Sequence, residues 1–190
     1  MGATRKGIVR PRQQPLRERY RANPAEAWIT DGARSRNACD EDPFHGNVVP
    51  ANGGDAPFRF GIHRAIGGFH DAPNPGDLLS AALAACFDST LRMIADHLGI
   101  GLRSLEVRVT SEVDVRGCLQ VDPTVAVGFQ RMRCYVRLEP RDDVDENKMR
   151  MIVDVAEKCC VVLQTLRNGV VVEAALEQSA AATSGAATVP

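Results

Sequence analysis

Apolar and polar residues alternate along residues 104–116 of the chain. Leu105, Val107, Val109, Val113 and Val115 fall on one face, and charged or hydroxyl side chains fall on the other. This period of two predicts a strand that is buried on one side only. Residues 131–138 repeat the pattern, with Met132, Cys134, Val136 and Leu138 on the apolar face. Because Asp122-Pro123 marks a turn between them, the two strands are predicted to form a long hairpin.

Helical spacing appears on both sides of this hairpin. In residues 74–98 a stripe recurs at steps of three and four: Leu79, Leu83, Cys86, Thr90, Ile94 and His97. Asn74 suits the N-cap, Pro75 the first turn and Gly99 the stop. Residues 144–167 carry a second stripe, formed by Ile152, Ala156, Cys160 and Leu163. Two long helices are therefore predicted.

The shorter segments complete the expected architecture. Residues 58–62 alternate and predict a strand, residues 27–30 are expected to begin another, and residues 170–172 to form a last one. The order of strands, helix, hairpin, helix and strand is that of an α+β protein, not of a parallel βαβ sheet. We expect a basic, mobile arm over residues 1–24, one domain over residues 25–176 and a disordered tail over residues 177–190.

Charge and hydropathy narrow the classes of partner. The formal net charge of −1 over 190 residues gives no global attraction to nucleic acid or anionic lipid. No run of apolar residues approaches the ~18–20 that a membrane helix needs. The basic N-terminal residues are not followed by the apolar stretch of a secretory signal. We therefore expect a cytoplasmic protein with no nucleic-acid or membrane partner, whose six cysteines are mostly thiols.

Each predicted long helix carries one cysteine on its apolar stripe, Cys86 on the first and Cys160 on the second. If the helices pack side by side, the two thiols could meet. Buried cysteines more often act as small apolar residues than as reactive groups. The functional interpretation is a dithiol peroxidase, in which one thiolate is oxidised to a sulfenic acid and a second thiol condenses with it to a disulfide.

A thiolate at Cys86 needs help from another segment. Cys86 lies eleven residues past Pro75, about three turns into its helix, beyond the reach of the helix dipole. An apolar environment would disfavour the thiolate further. We expect an arginine from the region before residue 65, because a guanidinium stays charged when it is desolvated. The candidates are Arg34, Arg36, Arg59 and Arg64, and the sequence does not choose among them.

Residues 74–86 and 156–166 resemble the two cysteine motifs of the OsmC family, which includes organic hydroperoxide resistance proteins. The order of elements agrees from about residue 25 to residue 176. The resemblance implies an OsmC-like, intertwined homodimer in which two long central helices are wrapped by antiparallel sheets. It also implies active sites at the subunit interface.

By this resemblance to the OsmC family, Cys86 matches the cysteine that attacks peroxide, and Cys160 matches the resolving cysteine. It implies a hydroperoxide reductase that acts on organic hydroperoxides in oxidative-stress defence, with a dithiol or lipoyl reductant and no bound cofactor. Family members hold the activating arginine with a glutamate shortly after the Asn-Pro pair, where this chain has Gly76. Asp77 is an accessory candidate, although one helical step turns its side chain about 100° away.

The sequence also allows other interpretations of the cysteine residues. Val161 stands where the family often has proline, and Cys159 could replace Cys160 as the resolving thiol. A non-catalytic OsmC-like protein that binds a small apolar ligand at the dimer interface is the main alternative. Metal binding is disfavoured, because Cys134, Cys159, Cys160, His63 and His70 lack the spacing of known ligand sets.

Overall fold

A computed structural model describes residues 7–36, 42–52 and 56–176 of the chain. In these ranges the helices are α1 (Val9–Ala22), α2 (Pro75–His97), α3 (Glu146–Cys159) and α4 (Val161–Asn168). The strands are β1 (Ala33–Ser35), β2 (Gly46–Pro50), β3 (Phe58–Phe60), β4 (Leu102–Glu112) and β5 (Arg131–Pro140). The fold is thus a mixture of helix and sheet, as the order of elements predicts.

Helix α2 begins with a complete capping box. The side-chain oxygen of Asn74 accepts hydrogen bonds from the backbone N–H groups of Gly76 and Asp77, and the Asp77 carboxylate accepts one from the Asn74 N–H. This arrangement satisfies N–H groups that the first turn leaves without helical partners. Helix α2 packs against β4, α3 and α4. The buried core consists of Leu83, Phe87, Leu91 and Ala95 from α2 together with Ile152, Ala156, Cys160 and Leu163.

Strands β4 and β5 form the predicted antiparallel hairpin, in which Val107 pairs with Val136 and Val109 with Cys134. The apolar faces of both strands pack against the core. Strand β4 ends at Glu112 rather than at residue 116, because the chain turns away there and leaves Val113 42% exposed. Residues 113–130 form a long connection that lies beside the start of α2.

Strands β1, β2 and β3 form a separate antiparallel sheet in that order. Ala33 pairs with Pro50, and Asn47 pairs with Arg59. The strand that was expected to begin in residues 27–30 is absent from the described structure. A short 3₁₀ helix, Pro24–Ala27, precedes Trp28, and pairing starts only at Ala33.

Two predictions for the C-terminal part are wrong. The single helix over residues 144–167 is two helices, because Cys160 takes an extended backbone conformation (φ −73°, ψ 111°) between α3 and α4. Residues 170–172 form no strand with any described segment, and Val171 is 90% exposed. Their β-branched composition favours a strand, but no described strand pairs with them.

The basic N-terminal segment contains helix α1, which the sequence analysis did not predict. The Val9 N–H donates to a carboxylate oxygen of Asp96 near the end of α2 (2.8 Å), and Gln13 contacts the Met93 sulfur (3.8 Å). The side chains of α1 are mostly exposed. Mobility of the arm stays a prediction, and residues 1–6 and 177–190 lie outside the described residues.

Among the described residues, α2 is long and apolar enough to cross a membrane by length and composition alone, with a mean hydropathy of 1.4 in its most apolar window. This segment differs from the sequence-based expectation, in which no apolar run was long enough to cross a membrane. Phe87 and Leu91 of this helix lie in the core, so packing within the chain accounts for its apolar composition.

Candidate functional site

The two predicted cysteines meet in the core. Cys86 lies midway along α2 and is partly exposed, whereas Cys160 lies at the α3–α4 junction and is fully buried. The Cys86 side chain packs against the core cluster that contains Cys160, and it lies close enough to help raise the pKa of the Cys160 thiol. Two sulfur atoms carried by separate elements are therefore adjacent, while both remain thiols.

The break between α3 and α4 lies at a buried thiol. Cys160 is the N-cap residue of α4, although its side chain makes no capping hydrogen bond. Burial, together with the neighbouring Cys86, raises the pKa of Cys160 to about 11. Cys160 therefore keeps its proton at neutral pH.

The backbone around Cys86 is held by two hydroxyl groups. Its carbonyl oxygen accepts hydrogen bonds from Thr90 Oγ1 (2.7 Å) and Ser89 Oγ (3.0 Å). Thr90 is buried, so its hydroxyl needs this partner. These contacts fix the turn of α2 that presents the Cys86 sulfur.

The four candidate arginines lie in the segments before α2. Arg34 belongs to β1 and Arg36 follows it, while Arg64 lies in a short 3₁₀ helix, Arg64–Ile66. Arg59 belongs to β3 and forms an ion pair with Asp71 (3.4 Å). Within the described part of the chain, no hydrogen bond or ion pair joins Arg36, Arg59 or Arg64 to Cys86. The choice of arginine stays a prediction.

The start of α2 is built differently from the pattern of the hydroperoxide resistance proteins. Asp77, the accessory candidate, receives hydrogen bonds from the backbone and side-chain nitrogens of Asn74 (2.9 and 2.6 Å), so its carboxylate serves the helix cap. A Cβ atom at Gly76 would lie 2.8 Å from the Phe129 ring and 2.9 Å from the Asn74 side-chain oxygen. Phe129 thus occupies the space into which a side chain at position 76 would begin.

Cys159 and Cys160 lie in different environments. Cys159 is exposed and borders a cavity of about 380 Å³ with Met93, His97 and Arg17. Cys160 instead contacts Cys86 in the core. Of the two neighbouring thiols, the structure therefore pairs Cys160 with Cys86.

The described residues contain no group of three His, Cys, Asp or Glu side chains arranged to hold a metal ion. His63 and His70 contact each other edge to face (4.3 Å between ring centroids). Cys134 lies on the core face of β5, where burial and Glu157 raise its pKa. Cys39 lies outside the described residues.

Phe129 and the space around it were missed by the sequence analysis. Two cavities of about 930 and 850 Å³ share Leu79, Gly128 and Phe129 in their walls. One extends toward Ser80 and Ser111, and the other toward the Glu157–Arg167 ion pair. After residue 116 the connection has no periodic pattern, so the sequence gave no signal for the position of Phe129.

Comparison with solved structures identifies the fold. An organic hydroperoxide resistance protein OsmC from Legionella pneumophila matches with a TM-score of 0.55 and 21% identity, over 73% of this chain and 90% of that chain. An OsmC-like protein from Mycoplasma pneumoniae matches with a TM-score of 0.59 and 15% identity, over 74% of this chain and 89% of that chain. An OsmC-like protein of unknown function from Vibrio cholerae matches with a TM-score of 0.56 and 10% identity, over 73% of this chain and 94% of that chain.

These likenesses define a mixed helix-and-sheet fold of the OsmC and organic hydroperoxide resistance type. The family model described as OsmC-like protein matches residues 68–175, which is more than half of the chain. The chain belongs to the OsmC-like family. No curated protein matches the sequence.

Proposed function

We propose that this protein is a thiol-dependent peroxidase that reduces organic hydroperoxides through Cys86 and Cys160. The contact between the two thiols carries the proposal. Cys86 is partly exposed, so a small peroxide can reach it, whereas buried Cys160 is placed to react only with Cys86. Membership of the OsmC-like family is consistent with a redox role related to peroxides.

The proposed cycle has three steps. The Cys86 thiolate attacks one peroxide oxygen, the O–O bond breaks, and the leaving alkoxide takes a proton to become an alcohol. The Cys160 thiol then attacks the Cys86 sulfenic acid, and a disulfide and water form. A dithiol or lipoyl reductant returns both cysteines to thiols by exchange and becomes a disulfide itself.

The geometry favours this assignment of roles over the reverse one. Cys160 keeps its proton at neutral pH because its pKa is raised to about 11. The thiolate is the nucleophile in peroxide attack, so this step falls to Cys86. We propose that an arginine from the region before residue 65, of this chain or of a second subunit, activates Cys86; Arg34, Arg36, Arg59 and Arg64 remain the candidates.

The decisive experiment follows thiols and peroxide together. One equivalent of cumene hydroperoxide is added to the reduced protein, free thiols are counted, and the disulfide is mapped by mass spectrometry. We expect the loss of two thiols and a Cys86–Cys160 link. The Cys86→Ser variant should consume no peroxide, and Cys160→Ser should accumulate a sulfenic acid that dimedone traps.

Cys159→Ser is the matched control, because Cys159 adjoins Cys160 in sequence but is exposed outside the core. It should behave like the unchanged protein. Six intact thiols after treatment, or turnover that survives in Cys86→Ser, would contradict the proposal.

The two cavities beside Phe129 favour a second candidate function, the binding of a small apolar ligand without catalysis. Their combined walls are formed largely by aliphatic and aromatic side chains, as ligand pockets usually are. Cys86 lines neither cavity. A ligand there would therefore bind equally well to Cys86→Ser, and titration of both proteins with a fluorescent fatty acid separates this function from thiol chemistry.

A further inference from the structure

His45 bridges two aspartates that belong to different segments. Its Nδ1 lies 2.6 Å from Asp42 Oδ2, and its Nε2 lies 2.7 Å from Asp71 Oδ1. Asp42 precedes β2, whereas Asp71 lies in the segment that leads to the cap of α2. Only 17% of the His45 side chain is exposed, although both carboxylates are about half exposed.

The surroundings hold this bridge in a defined place. The His45 ring stacks on Phe69 (5.8 Å between centroids, 4° between planes). A Cβ atom at Gly61 would lie 3.4 Å from the His45 ring and 3.5 Å from the Asp71 carboxylate, so the end of β3 runs directly beside both. The Gly61 N–H donates to the Pro73 carbonyl oxygen (2.9 Å).

The two carboxylates around His45 favour its protonated form. Asp42 faces it from its own segment and Asp71 from the segment before α2, while Arg59 of β3 binds the other oxygen of Asp71 (3.4 Å). These are the charged groups that contact this bridge among the described residues. An imidazolium ring over the face of Phe69 gains a further cation–π attraction.

The number of ring protons decides whether both bonds can form. Imidazolium donates from both nitrogens, but neutral imidazole carries one N–H and one lone pair. After His45 loses a proton, one nitrogen lone pair would face a carboxylate oxygen at hydrogen-bonding distance. One of the two contacts must then open.

We propose that His45 is a proton-dependent latch that fixes the β1–β2–β3 sheet to the segment entering α2. In the protonated state His45 is bonded to both Asp42 and Asp71, and the second bond ties the start of β2 to the segment entering α2. In the neutral state one of the two bonds to His45 opens, so the sheet is held less firmly. This latch does not depend on the proposed peroxidase chemistry.

The direction of the titration agrees with this geometry. The hydrogen bonds to Asp71 and Asp42 raise the pKa of His45 above its ordinary 6.5. Because the folded pKa is the higher one, the stabilisation is complete below the ordinary value and is lost as pH rises through the raised value. The same bonds lower the pKa of Asp71 and Asp42, so on the acid side the latch fails only when pH falls through those lowered values.

NMR of the full chain tests the latch directly, since the sequence has four histidines and single substitutions assign each signal. We expect His45 to titrate with a midpoint above about 6.5. In Asp71→Asn and Asp42→Asn the midpoint should fall, by roughly one unit or more for the removal of an adjacent charge. Asp114→Asn is the control, because Asp114 pairs with Arg116 in the 113–130 connection and should leave the midpoint unchanged.

Hydrogen exchange measures the structural consequence. After correction for intrinsic exchange, amides of β2 and β3 should lose protection as pH rises through the His45 midpoint, and His45→Gln should abolish this step. A His45 midpoint at or below about 6.5 in the unchanged protein would overturn the proposal. So would a midpoint that neither aspartate variant moves, or protection of β2 and β3 that does not follow the titration.

Discussion

Cys86 and Cys160 touch each other, yet the fold gives them different reactivity. Cys160 is fully buried, and its pKa is raised to about 11, mainly by burial. Near neutral pH we expect iodoacetamide to modify exposed Cys118 and Cys159 quickly and to leave Cys160 unmodified in the native protein. Mass spectrometry of labelled peptides after timed quenching checks this order. Labelling of Cys160 as fast as Cys159 would contradict the assignment of buried and exposed thiols.

The same shift makes stability depend on pH. Between the ordinary thiol value of 9.0 and the folded value of about 11, the unfolded chain loses the Cys160 proton and the native chain keeps it. The free energy of unfolding should therefore fall as pH rises through this window. Urea denaturation at a series of pH values measures how steeply the free energy of unfolding falls with pH. Cys160→Ala should show a shallower dependence on pH, whatever its absolute stability.

Phe129 sets the requirement for glycine at position 76. In an open first turn, replacing glycine by alanine gains up to about 1 kcal/mol of helix propensity. Here the new methyl group would meet the Phe129 ring at 2.8 Å and disturb the Asn74 cap. We expect Gly76→Ala to destabilise the protein by about 1–3 kcal/mol, as overpacking does.

A double-mutant cycle isolates the contact between Gly76 and Phe129. In the Phe129→Ala background the ring is gone, so Gly76→Ala should be neutral or stabilising in urea denaturation. An equal cost in both backgrounds would place the difficulty in the cap rather than at Phe129.

At the scale of elements, the division between α3 and α4 has no marker in the sequence. Residues 144–167 contain neither glycine nor proline, and their apolar stripe continues across Cys160. The break appears only in three dimensions, where Cys160 takes an extended backbone conformation between the two helices. The hairpin was predictable because its period of two persists through both strands. The absence of a strand at residues 170–172 was not predictable, because strand formation depends on an edge to pair with.

The same break predicts the effect of proline at position 161. Cys160 already has the extended conformation (φ −73°, ψ 111°) that a residue before proline prefers. Val161 is the first residue of α4, where proline is favoured, and its side chain is 72% exposed. Val161→Pro should therefore keep the fold and raise the free energy of unfolding by about 0.4–1 kcal/mol.

Asp154→Pro is the matched control for this substitution. Asp154 is also exposed, but it lies inside α3, where proline removes a helical hydrogen bond and should cost ~3 kcal/mol. Chemical denaturation of the unchanged protein, Val161→Pro and Asp154→Pro measures the free energy of unfolding of each. A similar large loss in both variants would mean that α3 and α4 form one continuous helix in solution.

At the scale of the whole molecule, the single chain leaves much apolar surface uncovered. Trp28 is 87% exposed, Val171 90% and Leu176 93%. Within the described ranges, the β1–β2–β3 and β4–β5 sheets share no strand pairing. Soluble folded proteins rarely expose so many large apolar side chains without a partner surface. A second copy of the chain is the partner that the family resemblance implies.

The candidate site shows where sequence reasoning reached its limit at this scale. Cys86 and Cys160 could be paired because each lies on the apolar stripe of a helical segment. The activating arginine could not be chosen, because Arg34, Arg36, Arg59 and Arg64 lie in short or irregular segments whose positions depend on long-range contacts. Phe129 was missed for the same reason, since it belongs to an aperiodic connection.

Helix α2 offers a way to test the homodimer. Ala81, Ala82 and Ala85 form an exposed face of small residues, which would let another helix approach closely. We expect sedimentation equilibrium to give twice the chain mass of 20.6 kDa. Ala82→Arg should shift the protein toward the monomer, because a long charged side chain cannot be buried there without a partner.

Ala22→Arg, on an exposed position at the end of α1, is the control and should leave the mass unchanged. A monomeric unchanged protein would rule out the homodimer, and a dimer that tolerates Ala82→Arg would place its interface away from this face of α2.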